Sequence, residues 1–119
     1  MTMKRSVQLF LLLLMFTLLA ACNSTDGNVV WQKINNGALL VDVRSPAEHE
    51  SGHLEGSLLI PHTEVAARIA EFGDDKSRPI VLYCKSGGRA GKAHKVLEAN
   101  GFTNVINGGG YQDLLASKQ

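Results

Sequence analysis

An apolar, β-rich run, Pro79-Ile80-Val81-Leu82-Tyr83, delivers a cysteine at Cys84 and is followed at once by Lys85-Ser86-Gly87-Gly88-Arg89-Ala90-Gly91-Lys92-Ala93. No other stretch restricts the possible folds so strongly. The run has the composition of a buried strand. The glycine-bearing loop turns into a helical pattern of Ala90, Ala93, Val96 and Leu97, which Asn100-Gly101 stops, so a helix is expected from about Arg89 to Ala99. This order sets a thiol at the carboxyl end of a strand and just before a helix N-terminus, where free backbone N–H groups and the positive end of the dipole favour an anion. Cys84 is therefore the candidate nucleophile.

Around this unit the chain alternates helical and extended patterns. Val30, Trp31 and Ile34 form the inner face of a short helix closed by Asn35-Asn36-Gly37, and residues 38–43 read as a buried strand. Ser45 is an N-cap candidate before Pro46, with Glu48 as its capping-box partner, so a short helix runs to about Glu50. The glycine turn 52–56 leads to a brief strand over 57–60 that Pro61 ends. Thr63 caps an expected helix in which Val65, Ile69 and Phe72 face the core while Glu64, Arg68 and Glu71 face water. After an exposed loop over 73–77 and the central strand and helix, Val105 and Ile106 form a last short strand. Gly108-Gly109-Gly110 follows, and Tyr111, Leu114 and Leu115 make the apolar side of a final helix. Strands alternating with helices imply an α/β fold: a small parallel sheet of about four to five strands with helices on both faces.

The 119 residues suffice for one small domain once the N-terminal segment is set aside. Lys4 and Arg5 precede an almost wholly apolar run over 9–21 that ends in small residues, the layout of an export signal and short for a membrane span. Its end, Leu19-Ala20-Ala21-Cys22, resembles the bacterial lipobox, whose cysteine is lipid-modified and begins the mature chain. Ordinary cleavage near Ala21, leaving Cys22 as a free terminal thiol, is the other reading. Both place the protein in the cell envelope facing the periplasm, and the first anchors it to the membrane through the lipid. Asn23 gives no inner-membrane aspartate signal, which weakly favours the outer membrane. The expected division is a signal peptide over 1–21, a lipidated N-terminus and flexible tether over 22–28, and the folded domain over 29–119. Taking Lys4 and Arg5 from the 12 basic residues leaves 10 against 11 acidic ones, a formal charge of −1, so nucleic acid is not an expected partner. Lipidation would consume the Cys22 sulfur and leave Cys84 alone, and a lone thiol in an oxidising compartment calls for a chemical role.

A free cysteine is only a few per cent thiolate at neutral pH. A helix terminus contributes only about 0.3–1 kcal/mol to a neighbouring anion. The backbone amides of Lys85, Ser86, Gly87, Gly88, Arg89 and Ala90 are expected to converge on the sulfur and, with the Lys85 and Arg89 cations, supply the rest, at about 1.5–3 kcal/mol per hydrogen bond to a charged acceptor. Gly87 and Gly88 allow the positive-φ backbone that such a loop needs, and valine at either is expected to damage the pocket.

Three further segments extend the pattern: Val41-Asp42-Val43-Arg44-Ser45-Pro46-Ala47-Glu48-His49, Gly52-His53-Leu54-Glu55-Gly56-Ser57, and Gly108-Gly109. With the Cys84 loop they resemble the Asp-Val-Arg segment, the Gly-His-x-x-Gly-Ala turn and the late glycine pair of the single-domain rhodaneses, especially the exported phage-shock-type thiosulfate sulfurtransferases. The resemblance covers about residue 30 to residue 115 and implies the rhodanese-like α/β fold. It implies that Cys84 attacks the outer sulfur of thiosulfate, or of another sulfane-sulfur donor, and expels sulfite. The resulting persulfide then passes its sulfur to cyanide or a thiol. Lys85, Ser86, Gly87, Gly88, Arg89 and Ala90 would bind the substrate and the persulfide, Asp42 and Arg44 would be structural support, and no metal or organic cofactor is required. The domain is expected to be a monomer. Three departures stand out: Leu59 where the family often has asparagine, Lys85 where it has arginine, and no tryptophan in the last helix.

His53 is expected to fix the glycine turn by a hydrogen bond. His49, His62 and His94 share no ligand spacing with a second cysteine or a carboxylate cluster, so no metal site is expected, although His62 follows Ile60-Pro61 close to the expected pocket mouth. Lys92 and Lys95 read as a solvated face. Two other functions stay open at this point. A phosphatase or arsenate reductase also uses a cysteine–arginine oxyanion loop, but the four residues between Cys84 and Arg89 make a tighter loop than those phosphatases have, with little room for a tetrahedral phosphate. A persulfide carrier without turnover, or a rhodanese-like interaction module, is the second, and the retained Cys84 argues against its inert form.

Overall fold

The computed structural model describes residues 25–118. The export segment, the lipobox and Cys22 lie outside the described residues. Helix α1 spans Gly27–Asn35, β1 Leu39–Asp42, α2 Pro46–Ser51, β2 Leu58–Leu59, β3 Ile80–Cys84, α3 Gly88–Ala99, β4 Val105–Gly110 and α4 Tyr111–Ala116. The four strands form one parallel sheet in the order β2-β1-β3-β4. This is the α/β fold expected, with β3 near the centre and its carboxyl end open to loops.

All five residues of β3 are buried because both faces of the sheet are covered. On one side Ile80, Leu82 and Cys84 pack with Val41, Val43, Ala90, Ala93, Leu97 and Phe102. On the other, Val81 and Tyr83 pack with Val30, Leu40, Leu54 and Leu114. The strand period of two thus points Cys84 toward α3 and Tyr83 toward α1 and α4.

Several boundaries differ from the sequence reading. Gly27 and Asn28, expected in the tether, lie in α1 instead, because Asp26 accepts a hydrogen bond from the Asn28 amide at 2.8 Å and starts the helix at Gly27. The helix expected after Thr63 is instead two 3₁₀ turns, His62–Glu64 and Ile69–Phe72, and Thr63 caps neither of them. A segment this short has no helix stability of its own. Seating Val65 and Phe72, both fully buried, in one core decides its path, and Arg68 turns at φ −106°, ψ 24° to allow it. In α4, Leu114 is buried as expected but Leu115 is 42% exposed.

The last strand does not stop at Ile106 but continues through the glycine triad. Leu82 pairs with Asn107 and Cys84 with Gly110, so two residues of β4, Gly108 and Gly109, oppose the single Tyr83 of β3. This is a β-bulge, with Gly109 at φ +86°. A side chain at Gly108 would come within 3.0 Å of the Leu82 carbonyl, which explains why the strand tolerates a residue that otherwise weakens strands.

Candidate active site

The capping box expected at α2 is present: the Ser45 hydroxyl accepts the Glu48 amide at 3.2 Å, and the Glu48 carboxylate accepts the Ser45 amide at 3.2 Å. β3 ends at Cys84, and residues 85–87 turn the chain into α3, whose N-cap is Gly87 at φ +96°, ψ −15°. That left-handed conformation is why glycine is needed there. Gly88 is different: it is the first residue of α3 and has open space around its Cα, so only Gly87 of the pair requires glycine. Cys84 exposes 1% of its surface. Its Sγ accepts the Gly87 amide at 2.9 Å, and among the described residues this is the one amide hydrogen-bonded to the sulfur, not the converging set expected.

Arg89 projects from the first turn of α3 but is not free for an incoming anion. Its two terminal nitrogens donate to the two carboxylate oxygens of Glu48, at 2.6 and 2.9 Å. Glu48 therefore caps α2 and clamps the Cys84 loop at once. Hydrogen bonds from Arg89, outweighing a smaller opposing effect of burial, hold its carboxyl down to about 2. Lys85 is exposed, with no carboxylate partner among the described residues. It lines an open cleft of about 230 Å³ together with Arg44, Glu48, Ser51, Tyr111 and Gln112, beside the Cys84 loop.

Asp42 and Arg44, expected as structural support, form a buried hub under this cleft. Arg44 donates to both Asp42 oxygens, with the closest approach 2.8 Å, and to the Gly52 carbonyl at 2.6 Å, while its guanidinium lies 4.5 Å over the Tyr111 ring. His49 bonds the same carboxylate at 2.9 Å, and the Tyr83 hydroxyl donates to it at 3.1 Å. The Tyr83 oxygen in turn accepts the Leu54 amide at 3.0 Å and meets the Ser57 hydroxyl at 2.9 Å. Burial alone would raise Asp42, but the Arg44 and His49 hydrogen bonds outweigh it and hold the carboxyl below its ordinary value. One network thus joins the segment after β1, the glycine turn and the strand that bears Cys84. The turn is also tied at His53, whose ring nitrogen Nδ1 is 2.8 Å from the His49 carbonyl oxygen.

Cys84, the one cysteine among the described residues, is thus buried at the carboxyl end of a parallel strand with its sulfur bonded at a helix start. The chain belongs to the rhodanese-like domain family, whose model matches residues 27–117. Within it, the chain is 37% identical over 78 residues to thiosulfate sulfurtransferase PspE of Escherichia coli, covering 66% of this chain and 75% of that protein. It is 33% identical to a sulfurtransferase of Allochromatium vinosum, covering 71% and 79% of the two chains. Among solved structures, a rhodanese with anions from E. coli superposes with a TM-score of 0.61 at 36% identity, over 65% of this chain and 91% of that one.

The structure brings Cys84, Lys85, Ser86, Gly87, Gly88, Arg89 and Ala90 into one strand-loop-helix junction, with Ala90 buried beneath it. Sequence reasoning assigned Glu48 only to capping, weighed His49 only as a metal ligand, read Tyr83 only as part of the apolar run and gave Asn107 no role. Glu48 left one signal, its dual position in the capping box and close after the Asp42-Val43-Arg44 segment. Tyr83 left none, since in an apolar run it reads as core.

Proposed function

We propose that this chain is a thiosulfate sulfurtransferase working through a persulfide on Cys84. The observation that supports it best is the hydrogen bond from the Gly87 amide to Cys84 Sγ, at the carboxyl end of β3 and the start of α3. An N–H aimed at the sulfur favours its anion, the nucleophilic form. The thiolate attacks the outer sulfur of thiosulfate: a sulfur–sulfur bond forms on Cys84, the bond to the sulfonate sulfur breaks, and sulfite leaves with the electron pair. Thiosulfate is reached end-on, because Cys84 is nearly enclosed. An acceptor, cyanide or a thiolate, then attacks the outer persulfide sulfur and returns the electron pair to Cys84, which gives ping-pong kinetics. Lys85 at the cleft pairs with a donor dianion already at the mouth, and the loop amides receive the persulfide anion. The Arg89–Glu48 pair holds the loop's shape.

Export and attachment to the cell envelope through Cys22 belong to the same proposal and are supported by the Leu19-Ala20-Ala21-Cys22 sequence after an apolar segment. The test is thiosulfate-to-cyanide sulfur transfer by the purified protein beside Cys84→Ser, with intact mass taken after thiosulfate alone. Turnover and the gain of one sulfur, both lost in Cys84→Ser, is the expected result. A mass gain without turnover identifies a carrier awaiting its acceptor. Neither signal from a verified reduced thiol sinks the thiosulfate reading.

A further inference from the structure

Asn107 lies on β4 opposite Leu82, immediately before the two glycines of the bulge. Both ends of its carboxamide are engaged: Nδ2 donates to the Gly87 carbonyl at 2.9 Å and Oδ1 accepts the Gly109 amide at 2.9 Å. Exchanging the two ends would set oxygen against carbonyl and NH₂ against N–H, so this network fixes the orientation. The Gly87 carbonyl also accepts the first bond of α3, from the Gly91 amide at 2.9 Å, while the Gly87 amide donates to Cys84 Sγ. Gly87 has no side-chain N-cap beside it and no β-carbon to limit its backbone. Its orientation therefore depends on partners outside the loop.

The bulge supplies that partner. Two residues of β4 against one of β3 bend the strand locally, and the Gly109 amide made available there captures the Asn107 oxygen, which aims the NH₂ at Gly87. The carboxamide is packed between loop and helix: a β-carbon at Gly87 would sit 3.7 Å from Oδ1, and one at Gly91 3.6 Å from Nδ2. We infer that Asn107 is a positioning residue for the Cys84 reaction, acting through Gly87: it anchors the Gly87 carbonyl to the β4 bulge and so keeps the Gly87 amide directed at the sulfur. The reaction concerned is that of the proposed function, and the alkylation readout below is independent of it.

The test follows two rates in wild type, Asn107→Asp and Asn107→Leu, with thermal melts to verify folding. One is alkylation of the Cys84 peptide by iodoacetamide, read by mass, which needs no sulfur donor. The other is sulfur loading from thiosulfate. Asn107→Asp keeps the acceptor for the Gly109 amide but sets a carboxylate oxygen against the Gly87 carbonyl, and Asn107→Leu removes both bonds at similar volume. Both rates are expected to fall about tenfold at pH 8, the scale of one misdirected hydrogen bond to an anion. A carboxylate facing the Gly87 carbonyl in this part-buried place titrates above its ordinary value, so relative to wild type at the same pH the loss in Asn107→Asp should shrink as the pH falls from 8 toward 5 and its protonated form donates again, whereas the loss in Asn107→Leu should not. Alkylation within twofold of wild type in folded Asn107→Leu overturns the inference, as does an equal loss in both variants without recovery of Asn107→Asp, which marks a packing role. If Asn107→Asp does not fold, Asn107→Leu decides alone. If wild type alkylates but takes no sulfur from thiosulfate, the sulfurtransferase reading fails while the alkylation rates still judge Asn107.

Discussion

Asp42 concentrates more of the site's support than any other single residue described. Its fully buried carboxylate is held by Arg44, His49 and Tyr83, and it is the counter-charge of a guanidinium that is itself 6% exposed. Replacing it with asparagine keeps the shape but leaves Arg44 without that charge. The expected cost is about 3–5 kcal/mol, as for other buried pairs broken on one side. Urea unfolding of Asp42→Asn measures it, and a loss below about 1 kcal/mol would show that Arg44 finds compensation elsewhere. A structural role for Asp42 and Arg44 was expected from the family resemblance alone, and their mutual pairing is a finding of the structure. The Tyr83 bond to Asp42 and the Asn107 bond to Gly87 were not legible, because those partners lie 41 and 20 residues away in the chain, at separations where local pattern carries no information. Glu48 was half legible: its bond to Ser45 is local, its clamp on Arg89 is not.

Among the elements, β4 and the Cys84 loop depend on each other. Gly110 faces the Lys85 carbonyl so closely that a β-carbon would overlap it, whereas Gly88 has open space and helical backbone. Gly110→Ala is therefore expected to push β4 off the loop, costing about 1–3 kcal/mol and at least tenfold in sulfur transfer. Gly88→Ala should leave the fold intact or stabilise it by about 0.5–1 kcal/mol. Thermal melts and turnover of the two single variants check the contrast, and equal behaviour would contradict the close approach at Gly110. Sequence periodicity located β3 and α3 well, since a strand covered on both faces and an amphipathic helix each write a strong pattern. It failed over residues 62–72, where helix spacing and 3₁₀ turns bury the same side chains, and at the end of the last strand, which was expected over Val105 and Ile106 but pairs on through Gly110, with Gly108 and Gly110 set where a β-carbon would crowd the Leu82 and Lys85 carbonyls.

At the scale of the whole domain, the two carboxylates of the site tie its stability to pH, with the exposed Glu71 and Asp75 shifted in the same direction. Asp42 and Glu48 both titrate below their ordinary values when folded, Glu48 near 2 against 4.5. A depressed carboxylate contributes stability that is fully present above its unfolded value and is lost as pH falls toward its folded one. The domain should hold its stability down to about pH 5 and lose it between there and about pH 2. Glu48→Gln should be less stable at neutral pH and shallower in that acid limb. Urea midpoints across pH 2–8 test this, and parallel limbs in the two proteins would remove Glu48 from the account. The same pairing shapes encounters with small ions. With Arg44 matched by Asp42 and Arg89 by Glu48, the cleft presents Lys85 as the cation without a carboxylate partner among the described residues. One net charge at a surface screened over about 8 Å gathers few ions from a distance. Capture then rests on the fit of a molecule already at the mouth, and the rate of encounter stays nearly level as the ionic strength of the surroundings rises and falls.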